Sequence, residues 1–476
     1  MARINTNVGA IIAQKNLNNS YRSLNGTLER LSTGLRINRG RDDPAGLIVS
    51  ERLRSEISGV QQAVKNSQRA SNIISTTEGA LNEVAALLVS VQDLIVEAAN
   101  SGALSDDEIR ANQLQVDSAV ASITRIANST TFAGRALLNG SLDYITSGVD
   151  GSIVNGLQLH GVQFGTQAYV PVNINVTQSA QPATLMFPAG SVTSAVTIEI
   201  QGNKGVTTLS FTAGTPASAI VTAINTVSDA TGVSATLSSS PTSGFVMRSR
   251  DLGSRQFISV QTLPGGGTFP VEDETGATTP RDEGRDAVAT INGANSIGDG
   301  NNLTLRTATL NIDVQLDTTF GQGVTAFSIT DGGAMFQLGP QVNSNLQVGI
   351  GVQSVSSSRL GNAVAGFLSQ IVTGERFSLI NGESARASEI INEAVRQVAI
   401  MRGRLGAFEK NTLDTNINQL NITAENLMSS ESAIRDADFA METSELTRNQ
   451  VLVQAGTNVL GLANQTPQSI LRLLGG

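Results

Sequence analysis

The sequence contains no cysteine and no tryptophan among its 476 residues. Without cysteine, disulfides and thiolate metal sites are excluded, and the chain can stay unfolded and unlinked until it leaves a cell. Aromatic residues make up only 4% of the chain, so helices packed by Leu, Ile, Val and Ala are favoured over aromatic cores. The single histidine, His160, has no second histidine or cysteine with which to share a metal ion. We therefore expect no metal site and no cofactor.

Basic charge and long apolar runs are also scarce. Residues 141–384 carry 9 Lys or Arg and 17 Asp or Glu, a net charge of −8 out of −9 for the whole chain. Nucleic-acid binding requires a basic surface, so this class is excluded, and a solvated outer surface is favoured. Because no run of 18 apolar residues occurs, membrane insertion is not expected. The first residues lack an apolar signal-peptide core, so secretion would need a route that cleaves no signal.

Motifs of catalysis are missing as well. The sequence has no Gly-x-Ser-x-Gly and no His-Glu-x-x-His, and its glycine clusters lack the remaining residues of phosphate-binding or dinucleotide-binding loops. The acidic clusters do not have the spacing of a calcium-binding EF-hand loop. No catalytic residues are predicted, and an enzyme is not expected.

Proline divides the chain into three sections. Nine of the eleven prolines lie between Pro171 and Pro340. Proline disrupts helix interiors, so the two ends can form long helices and the middle cannot. The middle alternates β-branched and polar residues, as in Val196–Ile200 and Val206–Phe211, which predicts short strands around a helix at Ala217–Val227. The stretch Pro264–Gly284 is predicted to be a loop. The fold class is therefore mainly α at both termini, with a central α+β insert of short strands.

Both ends show sustained heptads, which are typical of coiled-coil or bundle seams. Near the C-terminus, one heptad series runs from Leu413 through Leu420, Leu427 and Ile434 to Met441. The heptads of residues 57–126 and those of residues 385–438 can pair with each other within one chain. This predicted inner seam consists of Ile74, Leu81, Leu88, Ile95, Val398, Leu405, Leu420 and Leu427. A capping box, Ser105-x-x-Glu108, opens another helix.

The outermost stripes are harder to bury within one chain. They consist of Leu17, Tyr21, Leu24, Leu28, Leu31 and Leu35 at one end, and of Leu452, Ala455, Val459, Leu462 and Ile470 at the other. Further apolar residues lie outside these stripes, and isolated helices that bury little are marginally stable. The stripes are therefore interpreted either as an ordinary intramolecular seam or as an assembly face, ordered only when copies pack together.

A junction separates the outermost segments from the inner helices. It contains three glycines and Pro44, which interrupt helical continuity, and it acts either as a flexible hinge or as a plain loop. Its candidate residues are Gly34, Arg36, Asn38, Arg41, Asp42, Pro44 and Gly46.

The termini resemble bacterial flagellins. The motifs that carry the resemblance are Ile4–Val8, Leu31–Asn38, Asp42–Gly46, Thr130–Arg135 and Leu137–Gly140 at the N-terminal end, and Ile434–Phe439, Val451–Gly456, Ala463–Gln468 and Leu471–Leu474 at the C-terminal end. Together they cover about residues 1–145 and 340–476. The resemblance implies three domains: a terminal helical core of residues 1–43 and 442–476, an inner bundle with β-hairpin elements of residues 44–178 and 339–441, and an outer surface-exposed insert of residues 179–338.

The resemblance also implies a function. The chain would polymerise with many copies of itself into the helical flagellar filament that drives swimming, after export in an unfolded state and assembly at the distal tip. Implied partners are an export chaperone, hook–filament junction proteins and the filament cap. Recognition by an innate immune receptor is not expected, because the family arginine near Ser90 is missing. Two alternatives stay open: a hook–filament junction protein, or an adhesive or glycan-binding role of the insert.

Overall fold

The computed structural model describes residues 6–100, 102–165, 167–238, 244–264, 266–307 and 309–474, with side chains described up to residue 465. Within these ranges the α-helices are α1 (Val8–Thr33), α2 (Pro44–Ala98), α3 (Asp106–Ser129), α4 (Ala217–Thr226), α5 (Ser228–Thr231), α6 (Ser384–Phe408), α7 (Thr415–Arg435) and α8 (Phe439–Leu474). Short 3₁₀-helices span Ser344–Leu346, Leu368–Ile371 and Leu379–Asn381, and a π-helix spans Glu409–Asp414. The predicted helical ends and strand-rich middle are confirmed.

The strands lie between α3 and α6. They are β1 (Thr131–Phe132), β2 (Arg135–Ala136), β3 (Tyr144–Ser147), β4 (Val154–Val162), β5 (Val170–Gln178), β6 (Thr184–Phe187), β7 (Val196–Gly202), β8 (Val206–Phe211), β9 (Val233–Leu237), β10 (Phe245–Ser249), β11 (Phe257–Thr262), β12 (Arg281–Glu283), β13 (Val288–Ile291), β14 (Ala294–Asn295), β15 (Ile297–Asp299), β16 (Asn302–Arg306), β17 (Leu310–Leu316), β18 (Gly323–Gly332), β19 (Ala334–Gln337), β20 (Gln347–Ile350), β21 (Gly361–Asn362) and β22 (Gly366–Phe367). The strands predicted at 196–200 and 206–211 are therefore present. The loop predicted over 264–284 contains β12.

The chain folds into two compact units. The first comprises residues 1–69, 337–342 and 410–476, and the second comprises residues 70–336 and 343–409. In the first unit, Val60 and Ala63 of α2 pack with Leu420 and Ala424 of α7 in a small apolar core. In the second unit, α2, α3 and α6 bury apolar stripes, and two larger cores lie among the strands.

Local signals place the helix ends. Asn7 begins α1 and accepts a hydrogen bond from the backbone of Ala10 at 3.0 Å, while Gly34 ends it with φ of 72°, a conformation that glycine adopts without strain. At the start of α2, Asp43 accepts a hydrogen bond from the backbone of Gly46 at 2.9 Å. The predicted capping box of Ser105 and Glu108 opens α3 and satisfies otherwise unpaired N–H groups.

A π-helix joins α6 to α7. The buried residues Val398, Leu405, Leu413 and Leu420 are spaced by seven, eight and seven positions. An α-helix keeps a stripe on one face with a spacing of seven, so the step of eight introduces one extra residue. The wider turns of the π-helix Glu409–Asp414 accommodate that residue, and both flanking stretches keep their apolar residues buried.

The C-terminal heptad series is interrupted elsewhere. The sequence predicts one continuous seam through Ile434 and Met441, but α7 ends at Arg435 and α8 begins at Phe439. Met441 is exposed. Asp438 accepts hydrogen bonds from the backbone of Ala440 and Met441 and so opens a new helix. The prediction of a continuous seam was therefore wrong at this point.

Two β cores make up most of the second unit. One lies between residues 183 and 271, under the sheets β6-β10-β9 and β12-β11-β7-β8 and helix α4. The other joins residues 144–176 to residues 287–329, under the sheets β14-β13-β5-β18-β3 and β15-β16-β17-β4. The boundary predicted between residues 178 and 179 runs through this second core, because β5 pairs with both β13 and β18. The strands before residue 178 thus pack with the far end of the insert.

Candidate assembly surface and joint

Helices α1 and α8 pack along each other in the first unit. Leu17 is buried against α8, where its side chain lies 3.1 Å from the position that a Cβ on Gly456 would take. The side chain of Asn449 donates to the hydroxyl of Thr27 at 3.2 Å, and both residues are buried. A residue larger than glycine at position 456 would push against Leu17, so the close approach of the helices depends on this glycine.

Polar contacts extend along the same helix pair. Arg30 forms an ion pair of 2.6 Å with Glu442, which is buried. At the opposite end, the side chain of Asn7 donates to the carbonyl of Ala463 at 2.7 Å. Buried polar groups need their partners, so these contacts fix one register of α1 against α8.

The structure separates the predicted terminal stripes into two groups. On α1, Leu17 is buried and Leu24 and Leu31 are half-buried, whereas Tyr21 and Leu28 are exposed. Leu35, which follows the end of α1, is half-buried. On α8, the predicted stripe of Leu452, Ala455, Val459 and Leu462 is exposed, and the side chain of Ile470 lies outside the described residues. The α8 face that packs on α1 is the neighbouring one, with Asn449, Val453, Gly456, Leu460 and Ala463 buried or half-buried. The predicted α8 stripe therefore does not pack on α1.

We use the name terminal apolar surface for nine exposed apolar residues of this helix pair. It consists of Val8, Ile11, Ile12, Tyr21, Leu28, Val451, Leu452, Val459 and Leu462. Val459 is 53% exposed and Leu462 is 65% exposed. Burying one such side chain completely contributes about 1.5–3 kcal/mol, so the surface holds a substantial driving force that the single chain does not use.

The joint between α1 and α2 is tied to the break between α7 and α8. The backbone N–H of Arg36 donates to the carbonyl of Arg435 at 2.7 Å, and that of Ala437 donates to the carbonyl of Gly34 at 2.9 Å. Leu35 and Asp436 form an antiparallel bridge. The two helix interruptions therefore stabilise each other. The second interruption was not predicted, although the Asp-Ala-Asp run at 436–438 is a helix-start signal in the sequence.

Side chains close the joint further. Asp42 accepts hydrogen bonds from the backbone of Arg39 at 2.9 Å and of Asn38 at 3.2 Å, and the Arg39 hydrogen bond is the main reason why the pKa of Asp42 is lowered. Asn38 donates to the carbonyl of Leu35 at 3.0 Å. Ile37 is buried beneath this turn. Of the other predicted joint residues, Pro44 begins α2 and Arg41 is exposed beside Asp42. Gly46 lies where a larger residue would clash, because a Cβ there would meet the side chains of Asp43 and Ile37.

Seven of the eight predicted inner seam residues are buried, and the eighth is half-buried. In the second unit Ile74, Leu81, Leu88, Ile95, Val398 and Leu405 are buried, and in the first unit Leu420 is buried and Leu427 half-buried.

By length and composition, α2 contains a segment apolar enough to cross a membrane. Its apolar residues at heptad spacing pack inside the protein, and core helices of soluble proteins pass the same test.

His160 lies in a charged cluster of the second unit. Its ring nitrogen Nε2 is 2.7 Å from a carboxylate oxygen of Asp313, and Asp313 also pairs with Arg306. Arg404 donates to the backbone carbonyl of His160 at 3.1 Å. Burial lowers the pKa of His160, and burial also lowers that of Arg404 to about 10. Among the described residues no group of three potential metal ligands occurs. The contacts of the cluster link β4 to β17 and to α6.

Family models match three parts of the chain. The bacterial flagellin N-terminal helical region matches residues 4–143, the C-terminal helical region matches residues 388–474, and the flagellin hook IN motif matches residues 197–251. The B-type flagellin of Pseudomonas aeruginosa is 31% identical over 99% of both chains. The chain belongs to the bacterial flagellin family. As a flagellin, it is a structural subunit of the flagellar filament, an extracellular appendage for motility.

Other relatives agree with this assignment. The flagellin of Salmonella rubislaw is 29% identical over 99% of both chains. The solved structure of FliC from Burkholderia pseudomallei aligns with 72% of this flagellin and 99% of that chain, at 16% identity and a TM-score of 0.24. With so low a score, the assignment rests on the sequence matches.

Proposed function

We propose that the terminal apolar surface is the face through which copies of this chain polymerise. The observation that carries the proposal is the exposure of apolar residues on both helices of a pair that is otherwise specifically joined. Val459 and Leu462 lie on the outward side of α8, while Leu17 and Gly456 hold the pair together. Neighbouring copies would bury these side chains, and the joint would connect this packed layer to the inner helices.

The proposal extends to export and to partners. A chain without disulfides can be unfolded for export and folded at the filament tip without a redox step. The exposed apolar residues of α8 are suited to a cytoplasmic chaperone that covers them before export. Hook–filament junction proteins and the cap would meet the same helix pair at the two ends of the filament. The three-domain division of residues 1–43 with 442–476, 44–178 with 339–441, and 179–338 describes how the filament would be layered from its centre outwards.

A matched pair of variants tests the polymerisation face. In the variant V459D/L462D, carboxylates replace two exposed apolar side chains of α8. In the control Q454D, a carboxylate replaces an exposed polar side chain on another side of the same helix. Both proteins should fold, since none of the three side chains is buried. We expect seeded growth of long filaments, measured by sedimentation and negative-stain microscopy, from the control and not from the double variant. Filaments of ordinary length from V459D/L462D would refute the assignment of this face.

A further inference from the structure

Helix α8 carries two heptad stripes that differ in how apolar they are. The stripe that faces α1 is buried or half-buried throughout and consists of Glu442, Leu446, Asn449, Val453, Gly456, Leu460 and Ala463. The neighbouring stripe is exposed throughout and consists of Leu452, Ala455, Val459 and Leu462. Because the two stripes are offset by one residue, a rotation of α8 by about 100° would exchange them. The inward face thus contains an acid, an amide and a glycine, whereas the four exposed residues are all apolar.

Helix α1 shows the same arrangement. Three of its side chains are buried, namely Ala13, Leu17 and Thr27. Several of its large apolar side chains are exposed, namely Ile11, Ile12, Tyr21 and Leu28. Burial of apolar surface is the dominant driving force of folding, and it would favour the large apolar residues in the seam. Another interaction must therefore select the faces that meet.

The polar contacts of the seam require the observed faces. The side chain of Asn449 donates to the hydroxyl of Thr27 at 3.2 Å, and both residues are buried. Glu442 pairs with Arg30 at 2.6 Å. Rotating α8 by one residue would carry Asn449 and Glu442 away from these partners. A buried polar residue in a helix seam selects one arrangement at a cost in stability. The cost is visible at Glu442, whose atom Oε2 is buried without a hydrogen-bond partner among the described residues.

We propose that Asn449 and Glu442 determine which face of α8 meets α1. Their contacts turn the less apolar face inward and keep the stripe from Leu452 to Leu462 available to other copies. That role rests on the proposed polymerisation face, to which this stripe contributes three residues. Without the contacts, α8 would turn and bury the stripe against α1. Arg448, which lies on the same side nearer the start of the helix, is long enough to keep its charge in water in that arrangement. The chain would then polymerise less, although every residue of the terminal apolar surface would be unchanged.

Disulfides between α1 and α8 report which face is inward, because the chain has no cysteine of its own. A Cβ at position 456 lies 3.6 Å from the Cβ of Leu17, which is within the separation that a disulfide spans. The pair L17C/G456C therefore detects the observed face, and the pair L17C/A455C detects the face one residue further round the helix. Full-length monomers are oxidised, and the disulfides are quantified by mass spectrometry of their peptides. In the otherwise unchanged chain we expect the first disulfide to form at least tenfold more than the second.

Removing the polar contacts should reverse this preference. In the background N449A/E442A we expect the second disulfide to exceed the first. The control background Q450A/Q454A changes two exposed amides of the same helix and should retain the original preference. An unchanged preference in N449A/E442A would overturn the proposal. Equal yields of the two disulfides would overturn it as well, because the contacts would then stabilise the pair without choosing its face.

A milder variant guards against simple unfolding of the helix pair. T27V removes the hydroxyl that Asn449 contacts but keeps the size and shape of the side chain in the seam. Because a hydrogen bond of this kind contributes about 0.5–1.5 kcal/mol, the ratio of the two disulfides should shift by roughly threefold to tenfold toward the second. A ratio equal to that of the unchanged chain would refute the role of Asn449.

Filament growth separates this inference from the proposed function. Without the added cysteines, N449A/E442A should extend seeds at least tenfold more slowly than Q450A/Q454A. Normal growth together with reversed disulfides would overturn the link between the inward face and assembly. If V459D/L462D forms filaments, the proposed polymerisation face fails, whereas the disulfides still report which face of α8 is inward. If V459D/L462D does not polymerise but N449A/E442A keeps the original disulfide preference, only the present inference fails.

Discussion

The terminal helix pair and the inner helices are built from similar sequence periodicities but bury very different amounts of apolar surface. Over its 26 residues, α1 has three buried side chains, Ala13, Leu17 and Thr27, and one of these is polar. Over 25 residues, α6 has seven buried side chains, all of them apolar. The inner helices are thus stabilised within one chain. The terminal pair is held in register by polar contacts and leaves many of its apolar side chains exposed.

The largest expected effect comes from exchanging a seam residue of the inner helices. Leu81 is fully buried, and replacing such a leucine with alanine costs about 2–5 kcal/mol, since a cavity remains. The same replacement at the exposed Leu462 should change the stability of the monomer by less than about 0.5 kcal/mol and impair polymerisation. Hydrogen exchange of the α2 amides in monomeric L81A and L462A measures the first effect. The comparison fails if L462A loses as much protection as L81A.

The seam was predictable because its spacing is unambiguous. Ile74, Leu81, Leu88 and Ile95 repeat every seven positions, and no neighbouring stripe competes with them. On α8 two stripes with the same spacing lie side by side, Leu452-Ala455-Val459-Leu462 and Val453-Gly456-Leu460-Ala463. Apolar content favours the first. In the structure the second stripe faces α1, because Asn449 and Glu442, which continue it, find the polar partners Thr27 and Arg30 there. These contacts depend on α1, which lies over four hundred residues before α8 in the sequence, so the local pattern of α8 does not reveal them.

The strands show the same limit. Local alternation located β7 and β8 to within two residues of their bounds. Alternation carries no information on which strands pair, and β4 and β17 are separated by more than a hundred residues of chain. The insert was recognised as α+β, but the pairing of β5 with β13 and β18 across the predicted boundary at residue 178 was not predicted. At the joint, the helix break between Gly34 and Pro44 was visible in the sequence, but the backbone hydrogen bonds of Arg36 with Arg435 and of Gly34 with Ala437 were not.

A smaller effect is expected from the polar register contacts. Replacing Asn449 with alanine removes its hydrogen bond to Thr27, whose hydroxyl still donates to the carbonyl of Ser23. The cost should be about 0.5–1.5 kcal/mol, seen as lost hydrogen-exchange protection of α1 in the monomer. The exposed Gln454, changed to alanine, serves as the control. Undiminished protection of α1 in N449A would mean that apolar packing alone holds the pair.

The smallest expected effect is a pH dependence of folding stability, and it is limited to the second β core. Burial lowers the pKa of His160 below its ordinary value of 6.5, and Arg404 and Arg306 oppose its protonation while Asp313 favours it. The unfolded chain therefore binds the proton more readily than the folded one, so folding stability is fully present above pH 6.5 and declines as pH falls below it. In H160Q, which keeps a side chain able to hydrogen-bond Asp313, the slope of unfolding free energy between pH 7 and pH 5 should shrink. Amide exchange of β4 and β17 at both pH values measures it, while the terminal helices, which contain no histidine, should respond equally in both proteins. An unchanged slope at β4 in H160Q would assign the acid sensitivity to the carboxylates instead.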